Sequence, residues 1–373
     1  MLATIFSEVG KEPTVEEVDP IEPGRNDVVV RIAASGVCAS DHHVLLGSLP
    51  FPTPLILGHE AAGTVEAIGS GVTRVSPGDR VVASPDPCCA VCWYCAQGQP
   101  TLCEALPRIS TTPRVRRTDG SIAFGMVGLG TFAEFMTVDE ASVVPVETDL
   151  PFEQLALIGC GVTTGVGAVL VRARVQAGSS VVVVGCGGVG LSVIQGARIA
   201  GAETVVAIDP VEARRKAALG MGATDELDPG KGDAGERIRS LTDGRGADYV
   251  FEAVGRPETC VQSIGLARPG GTVVLVGAPA PGDRLEISLW EFFGDAKSVM
   301  TTRFGSVDIR RDIPRFVKLA ESGLLDLASL VTRTAPLETG EVNAAFMALE
   351  RGEAVRTVLV PRSPNASDRE RGS

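Results

Sequence analysis

Histidine is scarce in this sequence, with only three copies, His42, His43 and His59, in 373 residues. Basic residues are also in the minority: 34 Lys and Arg face 46 Asp and Glu, which gives a formal net charge of −12. An acidic balance of this size disfavours nucleic acid or an anionic membrane surface as a partner. Any chemistry based on histidine is therefore restricted to one adjacent pair and one separate side chain.

Long apolar runs are missing as well. Runs such as Val181–Val184 fall far short of the roughly 18 residues that a membrane helix needs. The N-terminus lacks the basic segment and apolar core of a secretory signal. We therefore expect a cytoplasmic protein without a membrane partner. The chain is long enough for two domains with sizeable cores, and its polar tail, 361–373, predicts disorder.

The pattern of strands and helices changes along the chain. The first 150 residues are rich in short strands, such as Asp27–Ile32 and Gly63–Ile68, separated by turn residues. From about residue 179 to 300, apolar strands alternate with helical patterns, which predicts a doubly wound parallel sheet. The predicted strands are Val181–Val184, Val205–Asp209, Asp248–Glu252 and Thr272–Gly277, and the first two helices are Val189–Ala200 and Ala213–Met221. After residue 305, two helices and a final strand, Thr357–Val360, are expected to return to the first domain.

A cysteine cluster gives the strongest local signal. Five of the nine cysteines lie within residues 88–103, and four of them follow the spacing Cys89-x2-Cys92-x2-Cys95-x7-Cys103. Four thiolates this close in sequence can converge on one tetrahedral zinc ion. Because such a site has no open position, we predict a structural zinc, with Cys88 left over. In a cytoplasmic protein of this size, a metal site is favoured over disulfides.

A glycine-rich segment follows the first predicted strand of the parallel sheet. Its glycines, Gly185, Gly187, Gly188 and Gly190, precede a helix, and Asp209 lies at the end of the next strand. This context predicts a dinucleotide fingerprint, in which the pyrophosphate lies against a helix N-terminus. Asp209 would accept hydrogen bonds from ribose hydroxyls and repel a 2′-phosphate, so NAD is preferred to NADP.

The remaining candidates are dispersed. Cys38, His59 and Cys160 are soft metal ligands next to glycine or small residues, but they spread over about 120 positions. A buried cysteine is more often an inert apolar side chain than a ligand. Spacing alone therefore does not assign these three residues to one site.

Taken together, these segments resemble the zinc-containing medium-chain alcohol dehydrogenases from Val28 to Val360. The resemblance is carried by Gly36–His43, Leu57–Gly63, the four cysteines, Gly159–Gly165, the glycine-rich segment and Arg356. It implies an α/β protein with a GroES-like β-rich catalytic domain, 1–161 and 303–373, that carries the structural zinc lobe 88–103. A Rossmann NAD-binding domain with a doubly wound parallel sheet, 162–302, would interrupt it.

The resemblance also implies roles for individual residues. Cys38, His59 and Cys160 would hold a catalytic zinc, which makes two zinc ions per chain. Glu60 would be the carboxylate that can enter the coordination sphere, Asp41 would orient His59, and Ser40 and His43 would relay protons. The implied cofactor contacts are Thr164, Val189, Val276 and Ala278 at the nicotinamide, Arg214 beside the adenosine ribose and Arg356 at the pyrophosphate.

These features predict a zinc-dependent alcohol dehydrogenase that oxidises a primary alcohol, aromatic and long-chain ones included, with NAD. The sequence of Gly159–Gly165 is similar to the corresponding segment of the thiol-adduct formaldehyde dehydrogenase branch of the family and of actinobacterial relatives. The sequence departs from the family pattern at two places that bear on cofactor and substrate binding. Ala39 stands where many relatives have a basic residue near the cofactor pyrophosphate, and the segment Glu104–Gly130, which borders the substrate cleft in the family, is shorter than in the thiol-adduct enzymes. The alternatives are a thiol-adduct formaldehyde dehydrogenase and a catalytically silent protein that binds zinc and NAD. A homodimer or homotetramer is expected.

Overall fold

The computed structural model describes residues 1–361, so the tail predicted to be disordered lies, from residue 362 on, outside the described residues. The strands are β1 Leu2–Phe6, β2 Thr14–Pro20, β3 Asp27–Gly36, β4 Leu55–Ile56, β5 Glu60–Ile68, β6 Arg80–Ala83, β7 Pro113–Arg117, β8 Ile122–Gly125, β9 Phe135–Asp139, β10 Val143–Pro145, β11 Ser180–Val184, β12 Thr204–Ile208, β13 Asp225–Leu227, β14 Ala247–Glu252, β15 Ala267–Leu275, β16 Ser298–Thr301, β17 Val331–Pro336 and β18 Arg356–Val360. The helices are α1 Ala39–Leu45, α2 Trp93–Ala96, α3 Leu106–Ser110, α4 Phe152–Leu157, α5 Thr163–Gly167, α6 Gly188–Ile199, α7 Glu212–Gly220, α8 Ala234–Leu241, α9 Pro257–Leu266, α10 Leu289–Gly294, α11 Ile309–Glu321 and α12 Thr339–Glu350.

The first of two compact units contains Met1–Cys160, Ile309–Val317 and the residues from Leu327 onward. It combines a closed barrel, β1-β2-β7-β8-β4, with a seven-stranded sheet in the order β10-β6-β5-β3-β18-β17, in which β9 also pairs with β3. Strand β3 connects the sheet because it pairs with β5, β9 and β18. The β-rich first domain expected from the sequence is confirmed.

The second unit contains Gly161–Asp308 and Lys318–Asp326. Its six parallel strands lie in the order β13-β12-β11-β14-β15-β16, so the strand order reverses between β11 and β14. The valines of β11 are buried, as a strand covered by helices on both faces should be. The predicted doubly wound sheet is confirmed. The sequence-based division gave residue 161, residues 303–308 and the segment Lys318–Asp326 to the first domain, but they group with this unit.

One helical segment, Phe152–Ala173, is long and apolar enough to cross a membrane, with a mean hydropathy of 1.8. However, 83% of that apolar window is buried inside the protein, as in a core helix. The segment is not a regular α-helix, because π-helical turns at Ile158–Val162 and Ala168–Ala173 interrupt it. Turns of this kind occur often at functional sites, and the first one contains Cys160.

Candidate metal centres and dinucleotide site

Four side chains that are distant in sequence converge in the first unit. One ligand atom each from Cys38, His59, Glu60 and Cys160 lies within 4.8 Å of the others, and all four residues are buried. The strand register explains part of this convergence: β3 and β5 pair with Gly36 opposite Glu60, which places Cys38 near His59. Cys160 comes from a separate segment: the preceding residue, Gly159, packs so closely that an added Cβ would lie 2.3 Å from the Ala83 carbonyl oxygen. The π-helical turn therefore packs against the end of β6, the neighbour of β5 in the same sheet, and this brings Cys160 to the cluster.

Asp41 fixes the orientation of two of these residues. Its buried carboxylate accepts hydrogen bonds from the backbone N–H groups of Cys38, at 2.9 Å, and Gly58, at 3.0 Å. The ring nitrogen Nδ1 of His59 lies 3.1 Å from the same carboxylate. Because a carboxylate accepts, Nδ1 donates, and a neutral ring would keep its lone pair on Nε2. Burial lowers the pKa of His59, but the Asp41 carboxylate and the Cys38 thiol outweigh burial and hold this pKa well above its usual range, so a metal ion at Nε2 would take the place of a proton. Nε2 is buried without a hydrogen-bond partner among residues 1–361, which is how a histidine presents itself to a metal ion.

The two thiols of the cluster behave as a pair. A hydrogen bond with Cys160 and the positive charge of Arg356 hold the pKa of Cys38 well below its usual range, although burial opposes this shift. The hydrogen bond with Cys38 and burial raise the pKa of Cys160 well above its usual range. Cys38 is therefore the more acidic of the two thiols. A cation would be needed to stabilise both as thiolates, the form that binds metal.

Glu60 lies beside Arg356 in the same buried region. Burial raises the pKa of Glu60 to about 8, although the Arg356 guanidinium, 3.5 Å from the carboxylate, opposes this shift. Arg356 also donates a hydrogen bond of 3.2 Å to the Val37 carbonyl. Two thiolates and one carboxylate facing one guanidinium would leave two negative charges uncompensated. The donor set of two sulfurs, one imidazole and one carboxylate fits zinc.

A second hydrogen-bond network, which the sequence did not predict, supports Glu60. The buried Ser35 hydroxyl donates to the Glu60 carbonyl at 2.9 Å, and it lies 2.6 Å from the Thr131 hydroxyl. Ser35 and Thr131 are 96 positions apart, so no local sequence motif predicts their contact. The network fixes the backbone at the start of β5, directly after His59.

Ser40 and His43, the predicted proton relay, both lie on α1 directly after Cys38. A separation of three residues places them on one face of the helix. Both side chains are partly exposed, and Ala39 is exposed. Their participation in a relay remains a prediction.

The four-cysteine lobe forms a second potential metal site in the first unit. The sulfur atoms of Cys89, Cys92, Cys95 and Cys103 all lie within 4.8 Å of one another. Backbone N–H groups point at them: Cys89 N–H lies 3.4 Å from the Cys103 sulfur, and Cys92 N–H lies 3.4 Å from the Cys89 sulfur. Cys88, which the spacing left over, is buried with its sulfur 3.9 Å from that of Cys95. All nine cysteines lie within the described residues, and none forms a disulfide.

The glycine-rich segment occupies the predicted place in the second unit. Strand β11 ends at Val184, Gly187 caps α6, and the helix begins at Gly188. Gly185, Gly190 and Val189 belong to the same strand–turn–helix connection. This geometry directs backbone N–H groups at the helix N-terminus toward the carboxyl edge of the sheet, where a pyrophosphate can bind.

Asp209 directly follows β12 and is buried beside the glycine-rich segment. Its carboxylate accepts hydrogen bonds of 2.8 Å from the backbone N–H groups of Cys186 and Val211. The guanidinium of Arg214 lies 4.0 Å from it. The structure thus brings together the residues predicted for the adenosine ribose.

The other predicted cofactor contacts are distributed over both units. Thr164 on α5, and Val276 and Ala278 after β15, belong to the second unit, whereas Arg356 belongs to the first. Arg356 faces Glu60 in the structure, a contact that the sequence did not predict. The assignment of these residues to cofactor binding remains a prediction.

A doubly wound sheet with a fingerprint turn, together with a buried site of cysteine, histidine and carboxylate, defines a metal-dependent dehydrogenase class. Comparison with known families agrees: the Alcohol dehydrogenase GroES-like domain matches residues 24–148, and the Zinc-binding dehydrogenase family matches residues 188–322. The chain belongs to the zinc-containing medium-chain alcohol dehydrogenase family and is an oxidoreductase.

Relatives and solved structures cover almost the whole chain. Geraniol dehydrogenase of Castellaniella defragrans is 37% identical over 96% of this chain and 97% of its own length. NDMA-dependent alcohol dehydrogenase of Amycolatopsis methanolica is 36% identical over 96% of this chain and 98% of its own length. The crystal structure of benzyl alcohol dehydrogenase from Acinetobacter calcoaceticus covers 97% of this chain and 99% of its own, with a TM-score of 0.90 and 28% identity.

Proposed function

We propose that the protein is a cytoplasmic zinc-dependent alcohol dehydrogenase that transfers hydride reversibly between a primary alcohol and NAD, giving the aldehyde. The observation that carries this proposal is the convergence of Cys38, His59, Glu60 and Cys160 at a buried point of the first unit. That unit would be the catalytic domain, and the second unit would hold the cofactor.

Cys38, His59 and Cys160 would hold the catalytic zinc, with Glu60 behind it, and the four-cysteine lobe would hold a second, structural zinc. A zinc ion bound at the first site supplies a Lewis acid that lowers the pKa of a nearby alcohol. Asp41 keeps His59 in the tautomer that presents Nε2. Arg356 balances the charge of Glu60 and keeps that carboxylate inside the protein. Ser40 and His43 would carry the alcohol proton toward solvent.

The fingerprint turn and Asp209 support NAD as the hydride acceptor. The pyrophosphate would bind at the N-terminus of α6, and Asp209 would bind the adenosine ribose beside Arg214. The nicotinamide would contact Thr164, Val189, Val276 and Ala278, and Arg356 would reach the pyrophosphate. Because one relative is named for its dependence on NDMA, the acceptor must be tested separately from the alcohol.

The relatives guide the choice of substrate. Their names include geraniol and benzyl alcohol dehydrogenases, which supports terpenoid or aromatic primary alcohols for this chain. The direct test uses benzyl alcohol, geraniol and aliphatic alcohols, and follows the rise of NADH absorbance where NAD is the final acceptor and the loss of NDMA absorbance where NDMA is the final acceptor. Formaldehyde with and without glutathione or mycothiol forms a parallel arm. Activity only with formaldehyde plus a thiol would replace the proposed substrate class, and a protein that neither binds NADH nor oxidises any alcohol would contradict the proposal.

A homo-oligomer is also proposed. Strand β16 lies at an open edge of the parallel sheet, and the neighbouring α10 exposes Leu289, Trp290 and Phe293 by 77%, 83% and 78%. An open edge beside large exposed apolar side chains is a typical interface between copies of a chain. Sedimentation equilibrium would distinguish monomer, dimer and tetramer.

Removal of the Asp209 charge should relax cofactor preference. The Asp209→Ser variant retains a hydrogen-bonding side chain but no longer repels a 2′-phosphate. We expect the ratio of kcat/KM for NADP to that for NAD to rise by at least about tenfold, which corresponds to about 1.4 kcal/mol. Steady-state kinetics with both cofactors measures this ratio. An unchanged ratio would show that Asp209 does not face the adenosine ribose.

The relay predicts a different pattern for His43. In the His43→Gln variant, the side chain keeps hydrogen-bonding groups but loses the imidazole ring, the side-chain type suited to accept and release protons. We expect kcat to fall by roughly tenfold to a hundredfold, with its decline at low pH altered, while zinc content stays unchanged. The neighbouring His42→Gln variant is the control, because His42 stacks on Phe346 instead. A pH profile identical to that of the unmodified protein would exclude His43 from the relay.

A further inference from the structure

Glu252 is a fully buried carboxylate that the proposed chemistry does not use. It is the last residue of β14 and pairs with Val184 at the end of β11. These are the two strands between which the order of the sheet reverses. In doubly wound sheets, ligands bind in the crevice outside the carboxyl ends of the strands at this point. Glu252 therefore lies directly beneath the expected nucleotide crevice.

The Glu252 side chain organises the turn that follows its own strand. A single carboxylate oxygen, Oε1, accepts hydrogen bonds from Val254 N–H at 3.0 Å, Gly255 N–H at 2.8 Å and the Thr259 hydroxyl at 2.7 Å. The other oxygen, Oε2, has no hydrogen-bond partner in the described part of the chain. The Oε1 hydrogen bonds thus connect the 254–255 turn with Thr259 in the first turn of α9. Burial and the Glu252 carboxylate also raise the pKa of the neighbouring Cys260 thiol.

The backbone of Glu252 holds a second loop. Its carbonyl oxygen accepts hydrogen bonds from Val276 N–H at 2.7 Å and Gly277 N–H at 2.9 Å, directly after β15. The two loops that border this part of the crevice are therefore anchored on one residue, one through its side chain and the other through its main chain.

The two anchored loops, residues 254–255 and 276–278, are also in close backbone contact with each other. A Cβ added at Gly255, whose φ is +87°, would lie 2.5 Å from the Ala278 carbonyl oxygen. A Cβ added at Gly277 would lie 2.1 Å from the Gly255 nitrogen. Because backbone meets backbone here, a shift of the 254–255 turn must displace the 276–278 loop.

We propose that Glu252 is a positioning residue of the nucleotide site, whose Oε1 hydrogen bonds set the places of the 254–255 turn and, through it, of the 276–278 loop. This inference rests on the proposed NAD-dependent function. It assigns no contact between Glu252 and the cofactor: Glu252 acts on the shape of the crevice through the two loops.

Two variants of Glu252 distinguish the effect of side-chain length from the effect of its negative charge. Glu252→Gln keeps the length and the accepting oxygen but removes the charge, whereas Glu252→Asp keeps the charge but is one methylene too short to reach the three donors. We expect Glu252→Gln to bind NADH within threefold of the unmodified protein and Glu252→Asp to bind it about tenfold more weakly. The KM for NAD should follow the NADH Kd, measured by fluorescence titration, while the KM for the alcohol and the zinc content stay unchanged.

Asp248→Asn is the matched control. Asp248 lies near the other end of the same strand and accepts hydrogen bonds of 2.8 Å from the Ser180 N–H and hydroxyl and one of 2.7 Å from Arg268. This variant should lower thermal stability without changing NADH binding. The proposal would be overturned if Glu252→Asp binds NADH as the unmodified protein does, if Glu252→Gln loses as much affinity as Glu252→Asp, or if Asp248→Asn weakens binding equally. An unmodified protein that fails to bind NADH would instead contradict the proposed function itself.

Discussion

The Cys160→Ala variant is expected to lose turnover by at least about a thousandfold, because the proposed catalytic zinc would lose one of its three protein ligands and with it several kcal/mol of Lewis-acid stabilisation. Zinc content should fall from two ions to one per chain. The fold should persist, since the thiol is one small buried group at a π-helical turn and the four-cysteine lobe is untouched. Metal analysis together with alcohol oxidation assays measures both effects.

The matched control is Cys88→Ser. Cys88 is also buried and its sulfur lies 3.9 Å from that of Cys95, but Cys88 belongs to neither set of converging ligands. This variant should retain two zinc ions and its activity. If Cys160→Ala kept full activity or both zinc ions, the assignment of Cys160 to the catalytic centre would be wrong.

The Cys103→Ala variant should affect the other metal site: it should lose the structural zinc and keep the catalytic zinc. We expect loss of the structural zinc only, because Cys103 closes the lobe after the tight group of Cys89, Cys92 and Cys95. Metal binding by such cysteine sets contributes directly to folding free energy. A loss of about 4 kcal/mol of folding free energy, at roughly 2–4 °C per kcal/mol, should lower the melting temperature by about 8–16 °C.

Limited proteolysis provides the local readout for this second prediction. Cleavage of Cys103→Ala should concentrate within residues 88–103, since that segment has only short helices to hold it without a metal ion. At low temperature, NADH binding should be unaffected because the fingerprint turn belongs to the other unit. A variant with unchanged melting temperature and two zinc ions would contradict a structural role for the lobe.

Features that depend on residues close together in the chain could be predicted well from the sequence. The alternation of apolar strands and helices identified the parallel sheet, because strands buried on both faces show continuous apolar runs such as Val181–Val184. The spacing of the four cysteines predicted a convergence that the structure contains. Asp209 could be placed beside the glycine-rich segment because each feature follows a neighbouring strand of one sheet.

Features made by contacts between distant segments could not be derived in the same way. Cys38, His59 and Cys160 required a family resemblance, since their convergence depends on the register of β3 with β5 and on a π-helical turn. The ion pair of Glu60 with Arg356 joins a strand start near the N-terminus to the final strand. The Ser35–Thr131 contact and the double anchoring at Glu252 likewise have no signature in local sequence.

Anomalous scattering at the zinc absorption edge, recorded from crystals of the protein, tests the central claim most directly. Two peaks per chain are predicted: one among the four cysteines of the lobe, and one at bonding distance, about 2.0–2.3 Å, from the sulfurs of Cys38 and Cys160 and from Nε2 of His59. A map with a peak in the lobe and none at Cys38, His59 and Cys160, from protein that oxidises alcohols, would contradict the account.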